Sequence, residues 1–484
     1  MDFSDPLVLF LAILAALAVL AILILLLVFL LKPTRSRASL RLALPLRLIA
    51  GRNKKNHIFL GLSPYSRQMV ANILQEWKHQ KKKRDQGRVI MVNLSDAYRG
   101  SDENRLRREF TGNKVVVLCG ILAGGGVRPL PDAIGLPGLK PWLANKRTSL
   151  YLFSADTEEN ARLLTLATED KRIRAKVFIY SSDPVGYDGL VASTGPRVRT
   201  LDPHKMAFNQ LKLNAPQLMP VHFVQKEGGL VTDGLHAMIL GFGLAGQEAL
   251  RYLYEFGVFL NKEGKKLPMS IKVYDPALDS LLGDFLQTAP ALKEDPSLEW
   301  HPKSAGTLEF WDRYEGDASV NYIVVAVDDG PKNFKLGVAL LKSAARTGKD
   351  LSRLVILIRN WNGGAKSRDV IDQYNQAYCP EGIEVLRSFG ESSEVWTPEV
   401  TSGGRLKAAA LRFMAPGETW DERRERLSKP GPGMLRNRME LRRLQYMDIS
   451  RALYEHTLQE LAPEIRTSHE RLHRQNVLAL LDNT

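Results

Sequence analysis

Gly241-Phe242-Gly243-Leu244-Ala245-Gly246 stands between an apolar run, "AMIL", and a helix-like stretch, "GQEALRYLYEFG". Glycines at this spacing let a chain turn sharply after a strand, bring its backbone against a phosphate and aim a helix N-terminus at the negative charge. Gly241 then makes the turn, Gly243 the close approach and Gly246 the helix-on-strand contact, with Phe242, Leu244 and Ala245 completing the loop. Asp275 ends the next strand-like stretch, "SIKVYD", where a carboxylate accepts from ribose hydroxyls and repels a 2′-phosphate. It lies 29 residues beyond Gly246, and "NKEGKK" (Asn261 to Lys266) is read as a loop insertion that accounts for the long interval. Asp328 and Asp329 follow another strand, "NYIVVAV". Two readings stay open for them: contact with a nucleoside or cation, and N-capping of the helix that follows. The alternative for the whole loop is a turn kept for packing, with Asp275 only capping a loop.

A reagent and a signal make different demands on such a site. An oxidoreductase needs a proton donor over the cofactor and a substrate domain. No Tyr has a Lys four residues later, and there is no Walker A run, Gly-x-Ser-x-Gly elbow or His-Glu-x-x-His motif. No catalytic residues are assigned. The two cysteines, Cys119 and Cys379, belong to no metal or redox spacing and fit a reducing compartment. Of the 9 histidines, His469 and His473 alone form a close pair, one helical turn apart in an Arg/Glu-rich tail. A solvated helix face is the expectation there, and no metal site is assigned.

The elements needed to position the loop recur along the chain. Residues 56–225 read as continuous apolar strands ("HIFLGL", "RVIMVNL", "KVVVLCG", "SLYLFSA", "AKVFIY") separated by helical stretches such as "SRQMVANILQEW". Residues 226–400 repeat the order with "LHAMILGFG", "SIKVYD", "NYIVVAVDD" and "RLVILIRN". Such runs imply α/β domains with parallel sheets covered on both faces, doubly wound and in tandem. Gly61 corresponds to Gly241, and Asp156 of "SADTEEN" to Asp329 of "VDDGPKN", each Asp followed four residues later by Asn160 or Asn333. The pattern is that of an internal duplication. In the first copy Ser63 and Ser66 replace the second and third glycines, Pro64 lacks an N–H and Asn93 takes the acid's place, so weak nucleotide binding or none is expected. Asp156 has the same two open readings as Asp329. Between the copies "DPHKMAFNQLKLNAPQ" reads as a crossover helix, and residues 401–484 as a helical C-terminal region.

These motifs, "GFGLAG", "VYD", the paired "SADTEEN" and "AVDDGPKN", and "SFGESSEVWTPEV" (Ser388 to Val400), together resemble the regulator of K+ conductance (RCK, or TrkA-N) family over residues 56 to about 400. The resemblance implies a cytosolic domain that binds a dinucleotide, nucleotide or ion and gates a membrane channel or transporter, of potassium type in the family. NAD or NADH is the expected ligand, with ATP, ADP or another adenine nucleotide the other class, and a homo-oligomer is expected.

Leu7 to Leu31 is 25 residues without a polar side chain. That is long enough for about 37 Å of helix, sufficient to span a bilayer once. Residues 1–32 are therefore expected to form an anchor, uncleaved because the run exceeds a signal-peptide core and no basic segment precedes it. Eight Lys/Arg and no acid lie between Lys32 and Lys55, placing the N-terminus outside and the rest in the cytoplasm of a cell inner (plasma) membrane. These eight cations in the linker (33–55 with Lys32) contribute to the net charge of +14, and anionic headgroups are their nearest partner. Nucleic acid is not expected, since neither "KKKR" (Lys81 to Arg84) nor the tail has interleaved aromatics. The reading is a membrane-anchored nucleotide sensor acting on a transport protein through a change of angle between its two units. The alternatives are a tethered NAD-dependent oxidoreductase or nucleotide-modifying protein, and a nucleotide-free assembly scaffold.

Overall fold

A computed structural model describes residues 54–79, 86–92, 109–110, 115–118, 139–154, 156–181, 198–327, 330–360, 365–414, 418–427 and 434–481. The apolar run 7–31, most of the basic linker, Lys81 to Arg84, Asn93, Cys119, Asp328 and Asp329 lie outside the described residues. Among the described residues no helix is long and apolar enough to cross a membrane. They fall into two compact units, one reaching Tyr180 and taking in Val198 and Arg199, the other made of Ser181 and the residues from Thr200 onward.

The first sheet contains β1 (Lys55–Leu60), β2 (Gln86–Val92), β3 (Val115–Leu118), β4 (Ser149–Leu152), β5 (Lys176–Tyr180) and β6 (Val198–Leu201), in the order β3-β2-β1-β4-β5-β6. The second contains β7 (His236–Leu240), β8 (Ser270–Tyr274), β9 (Leu298–His301), β10 (Tyr322–Val325), β11 (Val355–Arg359) and β12 (Leu386–Phe389), in the order β9-β8-β7-β10-β11-β12. The two orders are the same, and β7 pairs in parallel with both β8 and β10 through Ile239 against Val273 and Val324. This is the Rossmann-like, doubly wound arrangement that continuous Val/Ile/Leu strands favour, because both faces of each strand are buried.

In the first unit the strand pleat puts His57 and Phe59 on one face with Tyr151, Phe153 and Phe178 of the neighbouring strands. Their rings stack, Phe59 on Tyr151 at 4.5 Å and Tyr151 on Phe178 at 5.0 Å between centroids. α1 (Pro64–His79) follows β1 and buries Met69, Val70, Ile73 and Trp77, the face its 3.6-residue period aligns. α2 (Thr157–Glu169) follows β4.

In the second unit α3 (Pro203–Asn214) is the crossover helix, capped by Asp202, which accepts from the His204 and Lys205 amides. Sequence places it in the 56–225 segment; its Phe208 packs on Tyr252 and Phe389 of the second unit. α4 (Leu244–Phe256) follows β7, α5 (Leu278–Thr288) follows β8, α6 (Leu308–Gly316) precedes β10, α7 (Gly330–Thr347) follows it, and α8 (Ala365–Tyr378) precedes β12. The core between sheet and helices holds Met238, Ile323, Val325, Leu340 and Ile356. The linker before β7 forms a two-strand ribbon, Lys226–Glu227 against Leu230–Val231, turning through Gly228 and Gly229 at positive φ. In the C-terminal region α9 (Met434–Gln459) and α10 (Pro463–Leu481) form a helical hairpin, and α10 packs on α4.

Candidate functional site

The glycine loop leaves β7 at its carboxyl end, beside β10, where the strand order reverses. Open α/β sheets form their binding crevice at that point. Each glycine has a different reason to be there. Gly241 has φ +94°, and a Cβ on it would come within 2.5 Å of the Ala326 carbonyl oxygen. Gly246 lies so close to the Gly241 carbonyl that a Cβ would overlap it. Both are therefore demanded by the fold. Gly243 differs: its φ is −58° and a Cβ would meet nothing within 4 Å. Neither torsion nor packing requires glycine at that position, and the space in front of it is open.

Gly243 is also the N-cap of α4 and supplies no side-chain cap. Several other helices are closed by oxygen-bearing side chains, Asp156 on α2 and Asp202 on α3 among them, whereas α5, with Ala277 at its N-cap, likewise has no side-chain cap. Among the described residues no side chain caps the first turn of α4, which presents its amides and the positive end of the helix dipole. Leu244 is half-buried and Ala245 buried, so the approach to this turn is over Gly243.

Asp275 faces the loop. Its Oδ2 accepts from the Phe242 backbone N–H at 2.6 Å, and its Oδ1 accepts from the Ala277 N–H at 2.7 Å. The carboxylate ties the turn after β8 to the glycine loop and retains lone pairs for a further donor. The Phe242 side chain points away from the crevice into an aromatic cluster, edge-on to Phe285 at 5.1 Å and Trp300 at 5.5 Å. Gln247 donates to the Phe242 carbonyl at 3.3 Å, so both backbone groups of Phe242 are engaged within the loop.

The first copy keeps the backbone turn and closes it. Gly61 has φ +103°, and its N–H donates to Val92 at 3.0 Å as the Gly241 N–H donates to Tyr274 at 2.8 Å. Beyond it the serines satisfy each other: the Ser63 N–H donates to Ser66 Oγ at 2.9 Å and the Ser66 N–H donates to Ser63 Oγ at 3.2 Å. Ser66 Oγ also donates to the Ser63 carbonyl at 2.9 Å. This reciprocal cap occupies the donors a phosphate would use.

The paired Asp-x3-Asn elements divide into a cap and a tie. Asp156 is an N-cap, accepting from Glu158 N–H at 2.9 Å. Asn160 is buried, donating to the Ser154 carbonyl and accepting from the Ser154 N–H, both at 2.9 Å. Asn333 is likewise buried and donates to the Arg359 carbonyl at the end of β11 at 2.8 Å. The asparagines fasten the start of each helix to strand ends.

The expected solvated face of His469 and His473 is corrected: both side chains are buried. Nε2 of His469 accepts from the Leu260 N–H at 3.0 Å, and His473 stacks on Tyr454 at 3.9 Å. Sequence reasoning also missed Glu255, which is buried near the end of α4 against Tyr446, Ser450 and His473. A lone carboxylate inside "LRYLYEFG", flanked by Leu253, Tyr254 and Phe256, is the signal that marks it.

The fold and the loop define a chain with two parallel-sheet, Rossmann-like α/β domains, a class consistent with nucleotide binding. No family model matches the chain, and no curated protein matches it.

Proposed function

We propose that the second unit binds a nucleotide at Gly241–Gly246 and that the chain is a membrane-anchored, cytoplasm-facing sensor of the RCK type, acting on an ion channel or transporter. The observation that carries the nucleotide reading is Gly243: the fold does not need a glycine there, whereas a phosphate approaching the uncapped first turn of α4 does. Asp275 holds the loop in shape and supplies an acceptor for a ribose, which favours NAD, NADH or an adenine nucleotide without a 2′-phosphate. The anchor and the transport partner rest on the apolar run 7–31 and on the family resemblance. The absence of a proton-donor constellation from the sequence favours a signal over a reagent.

The test is thermal unfolding of the full-length protein in detergent with NAD, NADH, ATP, ADP and cyclic dinucleotides. One of them raises the midpoint with concentration, as a ligand of the native state must. Gly243→Asp, which places a carboxylate in the phosphate path, abolishes the shift. Absence of a shift with every nucleotide would overturn the reading and leave a packing turn in an assembly scaffold.

A further inference from the structure

We propose that Glu255 is a latch that fastens the C-terminal helix hairpin, α9 and α10, to the helix that begins at the glycine loop, making the hairpin the output arm of the second unit. The coupling to ligand rests on the nucleotide reading above; the latch itself does not.

The argument starts from what surrounds one carboxylate. Glu255 receives a hydrogen bond from the Tyr446 hydroxyl at 2.9 Å and another from Ser450, both on α9. Nε2 of His473, on α10, lies 3.7 Å from it and 2.9 Å from Ser450 Oγ. Lys212 of α3 is buried beside it, its ammonium 5.0 Å from the Phe256 ring centroid. Burial by itself would raise the Glu255 carboxyl, but Lys212, then His473 and Ser450, bring it down to about 2. It is therefore ionised at every physiological pH, and Lys212 supplies the opposite charge.

Around this centre the interface is aromatic: Phe256 lies 5.7 Å from Tyr454 and 5.6 Å from His473. Apolar packing alone could hold two helices there, and a buried ionic cluster seldom adds stability over such packing. Its physical effect is selectivity of geometry, because any other placement of α9 and α10 takes Tyr446, Ser450 and His473 away from the Glu255 carboxylate. Other fastenings of the hairpin include Ala462 N–H to the Gly229 carbonyl at 2.9 Å, Leu260 N–H to His469 at 3.0 Å, Asn476 to the Tyr254 carbonyl at 3.3 Å and the partly exposed ion pair of Lys226 with Glu460 at 3.1 Å.

Position gives the latch its use. α4 has 13 residues, with Gly243 at its N-cap and Glu255 in its last turn. A rigid helix of that length carries a displacement at the loop to the cluster about 20 Å away. Two docked states of the hairpin with different ligand affinity are then sufficient for signalling.

Hydrogen exchange of the full-length protein tests this with wild type, Glu255→Gln and the double variant Lys212→Met/Glu255→Gln. In both variants the amides of residues 446–477 exchange at least tenfold faster, while those of β7 and β10 keep wild-type protection. The double variant, free of the uncompensated Lys212, provides the reading where Glu255→Gln alone unfolds. Wild-type protection of 446–477 in the double variant overturns the latch. In wild type the nucleotide that shifts the midpoint also changes exchange across 446–477. A midpoint shift with no change there overturns the output role and leaves the nucleotide site standing. If no nucleotide shifts the midpoint, the nucleotide reading and the output role fall together, and the variants alone decide the latch.

Discussion

Asp275 and Phe242 are joined at 2.6 Å, carboxylate oxygen to backbone N–H, across the 33 residues that separate them. The charge that could hold a ribose therefore first holds the loop that would hold the phosphate. Asp275→Ala removes this bond and the one to Ala277, leaving a buried N–H without its acceptor. The expected loss is about 1–3 kcal/mol of stability, as for a hydrogen bond to a charged group. Nucleotide affinity falls as well, and denaturant unfolding together with ligand titration checks both. Unchanged stability would show that the bond does not order the loop.

Gly241 and Gly243 separate fold from ligand. Gly241→Ala meets both a positive φ and the Ala326 carbonyl, and should cost more than the roughly 1–2 kcal/mol of the torsional penalty alone. Gly243→Ala leaves stability unchanged or raises it by up to about 1 kcal/mol, since its backbone suits alanine and its surroundings are open. It nonetheless reduces the nucleotide-dependent rise in unfolding temperature. A Gly243→Ala protein that binds as tightly as wild type would remove the main support for the site.

Ser66 sustains the closed first loop. Ser66→Ala should lower the stability of the first unit by about 1–2 kcal/mol, since a side-chain cap and a buried bond go together. Exchange at the Ser63 amide accelerates, and the nucleotide response of the second unit is unaffected. A change in that response would place the ligand elsewhere.

His57 makes the first unit sensitive to acid. Burial, helped by Lys55, lowers its pKa from 6.5 to about 4. Protonation is thus easier in the unfolded chain. The stability contributed by the neutral ring is complete above pH 6.5 and is lost as the pH falls from 6.5 to 4, an effect of about 3 kcal/mol. His57→Phe keeps a ring against Tyr151 and should flatten the difference in urea midpoint between pH 7 and pH 4.5. Parallel pH profiles for the two proteins would refute the assignment.

Much of this architecture is legible because strands buried on both faces are written as unbroken apolar runs such as "YIVV" and "VILI". The correspondence of Gly61 with Gly241 is equally plain, since a positive φ leaves few residues to choose from. Side chains with two physical characters are harder to read. His469 and His473 share a stripe with Ile465, Leu472, Asn476 and Val477, all buried, but Arg and Glu on the neighbouring positions suggested a solvated face. A histidine is compatible with such a stripe only when a partner such as Leu260 N–H or Ser450 meets it, and that partner is distant in sequence. Glu255 is hidden for the same reason, with its partners almost 200 residues away along the chain. The Gly228-Gly229 hairpin is visible as a glycine pair, but its bond to Ala462 is not.

Two serine hydroxyls distinguish the loops in a way that sets a stoichiometry. With Ser63 and Ser66 bonded to each other, of the two described loops after β1 and β7 the second alone offers a first turn without a side-chain cap. Calorimetric saturation should follow a single-site hyperbola with one equivalent of ligand per polypeptide. Any sigmoidal response then has to arise between polypeptides, because a chain with one receptor has no second occupancy with which to cooperate.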